Sequence, residues 1–189
     1  MWKSLAAVSL AAVVAVPVAA RSDNGTAEKF TAFAVNISNM TPRAQTSPVD
    51  ITVNRWSSDA DRDRLRDILR EKGQDALLAA LQKMPVMGYL TTPGSLRYDL
   101  HFARKQPLAE GGERIVLATD RYIGSWEAAN RPRTIDYPFT VIELQLDKDG
   151  HGVGKASIYT KVIPLPDGTI ELENFADQPV MLNEVKRVK

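Results

Sequence analysis

The chain has 189 residues, no cysteine, 24 basic and 23 acidic side chains, and a formal net charge of +1 at pH 7. That length suits one domain with an adequate core and is short for two. The near-even charge speaks against a nucleic-acid partner, which selects a basic excess, and the missing thiols exclude disulfides, thiol catalysis and thiolate metal ligands.

Residues 1–20 hold Lys3, an apolar run from Leu5 to Val16 and the small-x-small end Val18-Ala19-Ala20, after which Arg21-Ser22-Asp23 turns abruptly polar. A basic start, a short apolar centre and small side chains at the cut form the pattern of a secretory signal peptide. The run is short of the roughly 20 apolar residues that a permanent span needs. The expected mature chain is 21–189, a single domain that is secreted or periplasmic and has no stable membrane insertion.

In that domain, 30–37 reads as a first strand, with the Val35 and Ile37 face the better candidate for burial. Residues 38–48 carry loop composition, and 50–56 alternates as a half-buried strand. The helical part is 58–84. Ser58 and Asp61 fit a capping box, Asp59, Asp61 and Asp63 suit the positive helix end, and Gly73 divides the region into an α-helical hairpin.

Strand patterns then resume at 86–90 and over 96–102, where Leu96, Tyr98, Leu100 and Phe102 alternate against Arg97, Asp99, His101 and Ala103. Further strands are expected at 114–120, 139–146, 153–163, 169–174 and 180–188. Asp147-Lys148-Asp149-Gly150 marks a hairpin turn. Short connections and one helical insertion point to a mainly β domain, an antiparallel β-barrel or β-sandwich.

Residues 121–138 lack a strand period and are long for a connection, which makes them the first place to look for function. Glu127 and Asp136 could share general acid and base work there, beside Trp126 and Tyr137. His101 and Glu143 are further catalytic candidates. Glu143 shares its strand face with Phe139 and Val141, so that face is not fully wet. Ligand-binding candidates are Trp56, Tyr98, Phe102, Arg121, Trp126 and Tyr137. No cofactor is expected, and no metal, with Asp147 and Asp149 as the weak exceptions, because a calcium loop needs further oxygens and a closing bidentate Glu.

Trp56-Ser57-Ser58-Asp59-Ala60-Asp61-Arg62-Asp63-Arg64-Leu65, Thr92-Pro93-Gly94-Ser95-Leu96 and Ile135-Asp136-Tyr137-Pro138-Phe139-Thr140 resemble an uncharacterised family of secreted proteins from Acidobacteria-like soil bacteria, a domain of unknown function. The resemblance implies export and carries no catalytic residue. The reading favoured by the residues is an exported, non-enzymatic β-domain that binds a small molecule, a lipophilic one if a closed barrel holds a cavity, or an envelope protein. The alternative is a secreted hydrolase that cleaves a glycan or ester with carboxylate acid and base.

Overall fold

The computed structural model of the chain describes residues 27–36, 45–95, 97–121, 137–165, 170–174 and 179–188. The expected signal peptide, Trp126, Glu127 and Asp136 lie outside the described residues.

Among the described residues, ten strands and one helical region follow in the order β1 (Glu28–Asn36), β2 (Gln45–Val53), α1 (Asp59–Gln82), β3 (Gly88–Thr91), β4 (Tyr98–Leu100), β5 (Phe102–Pro107), β6 (Glu113–Thr119), β7 (Phe139–Leu146), β8 (His151–Pro164), β9 (Ile170–Asn174) and β10 (Val180–Val188). All pairings are antiparallel. The strands form one sheet in the order β4-β3-β2-β1-β10-β8-β7-β6-β5, and β9 pairs β8 off this path. The two end strands of that order are consecutive in the chain, with only His101 between them. The Met87 amide donates to the Leu100 carbonyl at 2.7 Å and the His101 amide to the Ala118 carbonyl at 3.0 Å. The chain thus passes from the β3 flank to the β6 flank at His101, and the sheet becomes a nearly closed barrel.

If β4 and β5 are taken as one bent strand, eight staves surround the interior, the size that side chains alone fill. They do fill it. Phe30, Ile51, Leu117, Ile142, Leu144 and Val185 are each at most 1% exposed. At one pole the filling turns ionic. Lys105 Nζ lies 2.7 Å from Glu28 Oε1 and Arg187 Nε lies 3.3 Å from Glu28 Oε2, while Arg187 also pairs with Glu113. These four side chains come from β5, β1, β10 and β6, so the cluster spans the mouth. The Trp56 indole N–H donates to Glu28 at 3.1 Å, and Lys105 sits 4.9 Å from the Trp56 ring centroid.

Several expectations are corrected here. In β1 the buried face carries Phe30 and Ala32, whereas Phe33 is 43% exposed; the inward face is set by the space inside a small barrel, and that favours alanines. Strand β2 begins at Gln45, inside a segment with loop composition. Pairing with β3 starts only at Asp50, so Pro48 lies where β2 is an edge on that side and the missing N–H costs no ladder bond. The alternation expected through 96–102 breaks at His101. Leu100 and Ala103 both point inward, at 0% exposure, and Phe102 faces out. Strand β10 is paired on both sides, by β1 and β8.

Local chemistry accounts for the helical region. Ser58 Oγ accepts from the Asp61 amide at 3.1 Å and Asp61 Oδ2 accepts from the Ser58 amide at 3.0 Å, which completes the capping box. Leu65, Leu69, Leu77 and Leu81 are buried, at the four-residue spacing that keeps one face toward the barrel. The helical run is kinked at Gly73, with φ 79° and ψ −172°.

Candidate functional site

Helix α1 packs on the outer wall of the barrel over β5 to β9. The Asp59 carboxylate pairs with Arg104 of β5, and at the kink Gln74 Oε1 accepts from the Val162 amide of β8 at 3.4 Å. Between these two attachments the helix does not seat fully. A cavity of about 350 Å³ remains between α1 and the wall, within the range of small-molecule sites. Helix leucines 65, 69, 77 and 81 form one side, and Phe102, Phe139 and Val141 are prominent on the other.

The wall is graded along the strands. Cross-strand register aligns Val116 with Glu143 and Glu143 with Lys155, then Ala118 with Val141 and Val141 with Ser157. Charge is thus concentrated at one end, with Arg114 one step further out on β6. Phe139, Val162, Ile170 and Leu172 make the other end apolar. Glu143 accepts from Arg114 Nε at 2.9 Å and lies 3.3 Å from Lys155 Nζ. Gln145 Nε2 donates to the same carboxylate at 3.2 Å. Burial alone would raise the Glu143 carboxyl, but the Arg114 and Gln145 hydrogen bonds and the charges of Arg114 and Lys155 outweigh it and hold the carboxyl below the usual glutamate value.

The other described candidates lie outside this cavity. His101, at the β4–β5 junction, donates from Nδ1 to the Met84 carbonyl at 3.0 Å, and its Nε2 is 3.7 Å from Asp120 Oδ1. It joins the end of the helical region to the barrel and is largely covered, its side chain 14% exposed. The acid beside it is Asp120 rather than Asp99, which pairs with Arg97 at 2.9 Å.

Trp56 belongs to the ionic pole. Tyr98 carries the Arg121 guanidinium 5.3 Å from its ring centroid. The Tyr137 hydroxyl donates to Glu173 at 2.7 Å, and Lys161 lies over its ring. Asp147 Oδ1 accepts from the amides of Asp149 and His151 at 2.8 and 2.9 Å, the wiring of a tight hairpin. Among the described residues, no group of three or more His, Cys, Asp or Glu is arranged to hold a metal ion.

Of the described candidates, Phe102 and Glu143 come together in the wall of one cavity, and Tyr98 and Arg121 meet each other outside it. Sequence reading missed Arg62, Arg66, Arg114 and Lys155, which also line it. Only the mixed character of the Phe139, Val141 and Glu143 face signalled that this wall is covered.

No helix among the described residues is long and apolar enough to cross a membrane. Compared with protein-family models, curated proteins and solved structures, the chain matches none of them.

Proposed function

We propose that this is an exported, non-enzymatic binding domain that takes a small, largely apolar ligand into the cavity between α1 and the outer barrel wall. The observation that carries the reading is the contrast between a barrel interior filled with side chains and an open, apolar-lined space of about 350 Å³ just outside it. Packed proteins leave few voids larger than a water molecule, so a space of this size under an amphipathic helix calls for an occupant. Export is the expectation drawn from residues 1–20.

The hydrolase alternative requires a carboxyl that stays protonated near neutral pH. Glu143 is held ionised by Arg114 and Lys155, a state that suits an ion pair better than a general acid.

The test is displacement of an environment-sensitive apolar dye, N-phenyl-1-naphthylamine, from the full chain and from Ala118→Phe. Residue 118 lies on the cavity wall, and a phenyl group there occupies the space. Saturable dye binding that Ala118→Phe abolishes, with the fold retained by circular dichroism, supports the reading. Absence of saturable binding, or binding indifferent to Ala118→Phe, overturns it.

A further inference from the structure

The cavity is unequal in charge as well as in polarity. Among the described residues, four cationic side chains line it, Arg62 and Arg66 from α1, Arg114 from β6 and Lys155 from β8, against one anionic side chain, Glu143. The aspartates that pair with the two helix arginines, Asp59, Asp63 and Asp67, do not line the cavity, and their side chains are 68%, 41% and 55% exposed. Each is more exposed than the arginine it pairs with, so the arginines lie on the cavity side of these pairs. The Nε of Arg66 is buried without a hydrogen-bond partner among the described residues, a donor that lacks an acceptor.

These cations share one end. Arg114 and Lys155 both reach Glu143, and the first helical turns are held to the same region by the Asp59–Arg104 pair, because Arg104 is register partner of Val116 and Val116 of Glu143. From Glu143 to Phe139 the wall runs four residues toward its apolar end, about 13 Å at strand rise.

We propose that the occupant is a single-chain amphiphile with an anionic head, a carboxylate or phosphate, gripped by Arg62, Arg66, Arg114 and Lys155, and a tail laid along Phe139, Val141 and Leu172. This rests on the cavity being the binding site, as proposed above. Arginine forks and a lysine point charge match the acceptor oxygens of either head group. Glu143, deeper than its partners at 14% side-chain exposure against 45% for Arg114 and 49% for Lys155, anchors the two cations and competes with the ligand for them.

The experiment measures dye displacement from the full chain by dodecanoate, dodecyl phosphate, dodecan-1-ol and dodecyltrimethylammonium, each below its micellar concentration. The anionic members are expected to bind about 10- to 100-fold more tightly than the alcohol, the scale of charge-assisted hydrogen bonds. The gap should narrow with added salt because the cations are half-exposed. The carboxylate and phosphate arms separate the two head groups.

Arg62→Gln combined with Arg66→Gln should weaken dodecanoate several-fold and the alcohol by much less. Glu143→Gln should tighten dodecanoate and dodecyl phosphate and not the alcohol. Equal binding of alcohol and anion, or preference for the cation, overturns the head-group inference and leaves the cavity reading standing. Failure of every member to displace a dye that does bind overturns the amphiphile inference alone, whereas failure of the dye to bind removes the cavity reading and this inference with it.

Discussion

Glu28 of β1 and Lys105 of β5 meet across the mouth of the barrel, 2.7 Å apart, although 77 residues separate them in sequence. Neither strand neighbours the other in the sheet. The contact is therefore a strut across the interior, and Arg187 and Glu113 extend it to two further staves. Removing its central acid leaves Lys105 and Arg187 partly covered with one counter-charge fewer. Glu28→Gln should cost about 1–3 kcal/mol, between the values for exposed and fully buried ion pairs, read as a lowered urea midpoint with an unchanged m-value.

The same acid sets the response to pH. Burial would raise the Glu28 carboxyl, but the hydrogen bond and charge of Lys105, the charge of Arg187 and the Trp56 N–H together hold it below the ordinary value of 4.5. Glu143 is also held below 4.5. A carboxyl depressed in the folded state contributes stability that is fully present above its unfolded value and is lost as pH falls through its folded value. Stability should therefore be flat from neutral pH down to about pH 5 and fall below pH 4.5. Glu28→Gln should flatten that fall. Urea midpoints at half-unit intervals from pH 3 to pH 7 give the comparison, and a wild-type decline centred above pH 6 would contradict it.

Interior and cavity should answer truncation differently. Leu144 is fully enclosed, so Leu144→Ala should cost about 2–5 kcal/mol. Phe102 is only partly buried and already borders empty space. Its replacement by Ala should cost clearly less than the 3–5 kcal/mol usual for an enclosed aromatic, about 1–2 kcal/mol. Equal losses in thermal unfolding would mean that the space beside Phe102 is closed in solution.

Two glycines test the backbone. A Cβ at Gly152 would overlap the carbonyl oxygen of Gln145 on the paired strand, so Gly152→Ala should push β7 and β8 apart and cost about 3 kcal/mol. A Cβ at Gly73 would meet nothing within 4 Å, yet the φ of 79° with ψ of −172° at this residue belongs to a region that only glycine occupies readily. Gly73→Ala should therefore cost about 1–3 kcal/mol through backbone strain alone, with raised hydrogen exchange confined to α1.

Sequence made the barrel legible wherever structure is local. The capping box of Ser58 and Asp61, the hairpin at Asp147 and the limits of β7 and β10 need only neighbouring residues. What failed depended on contacts distant in sequence. The inward face of β1 was misread because Val35 and Ile37 are more apolar than Ala32 and Ala34, while the narrow interior selects for volume. Phe102 was assigned to the face of Leu100 because no local pattern announces that the chain changes partners at His101. The cavity was invisible for the same reason: Leu69 and Phe139 share it only because α1 folds back over the wall. Glu143 was the partial success, since apolar neighbours on its own face marked that face as covered.

Strands β1 and β10 are neighbours, with Lys29 opposite Val188, so the chain enters and leaves the barrel at one pole, the one stoppered by the Glu28 cluster. A circular permutant that joins these ends through a short linker and opens at the Thr92–Ser95 turn, at the other pole, should keep every stave and the cavity intact. A tether at either end would hold the barrel by the same pole, leaving the helix-covered flank facing sideways and open to its surroundings.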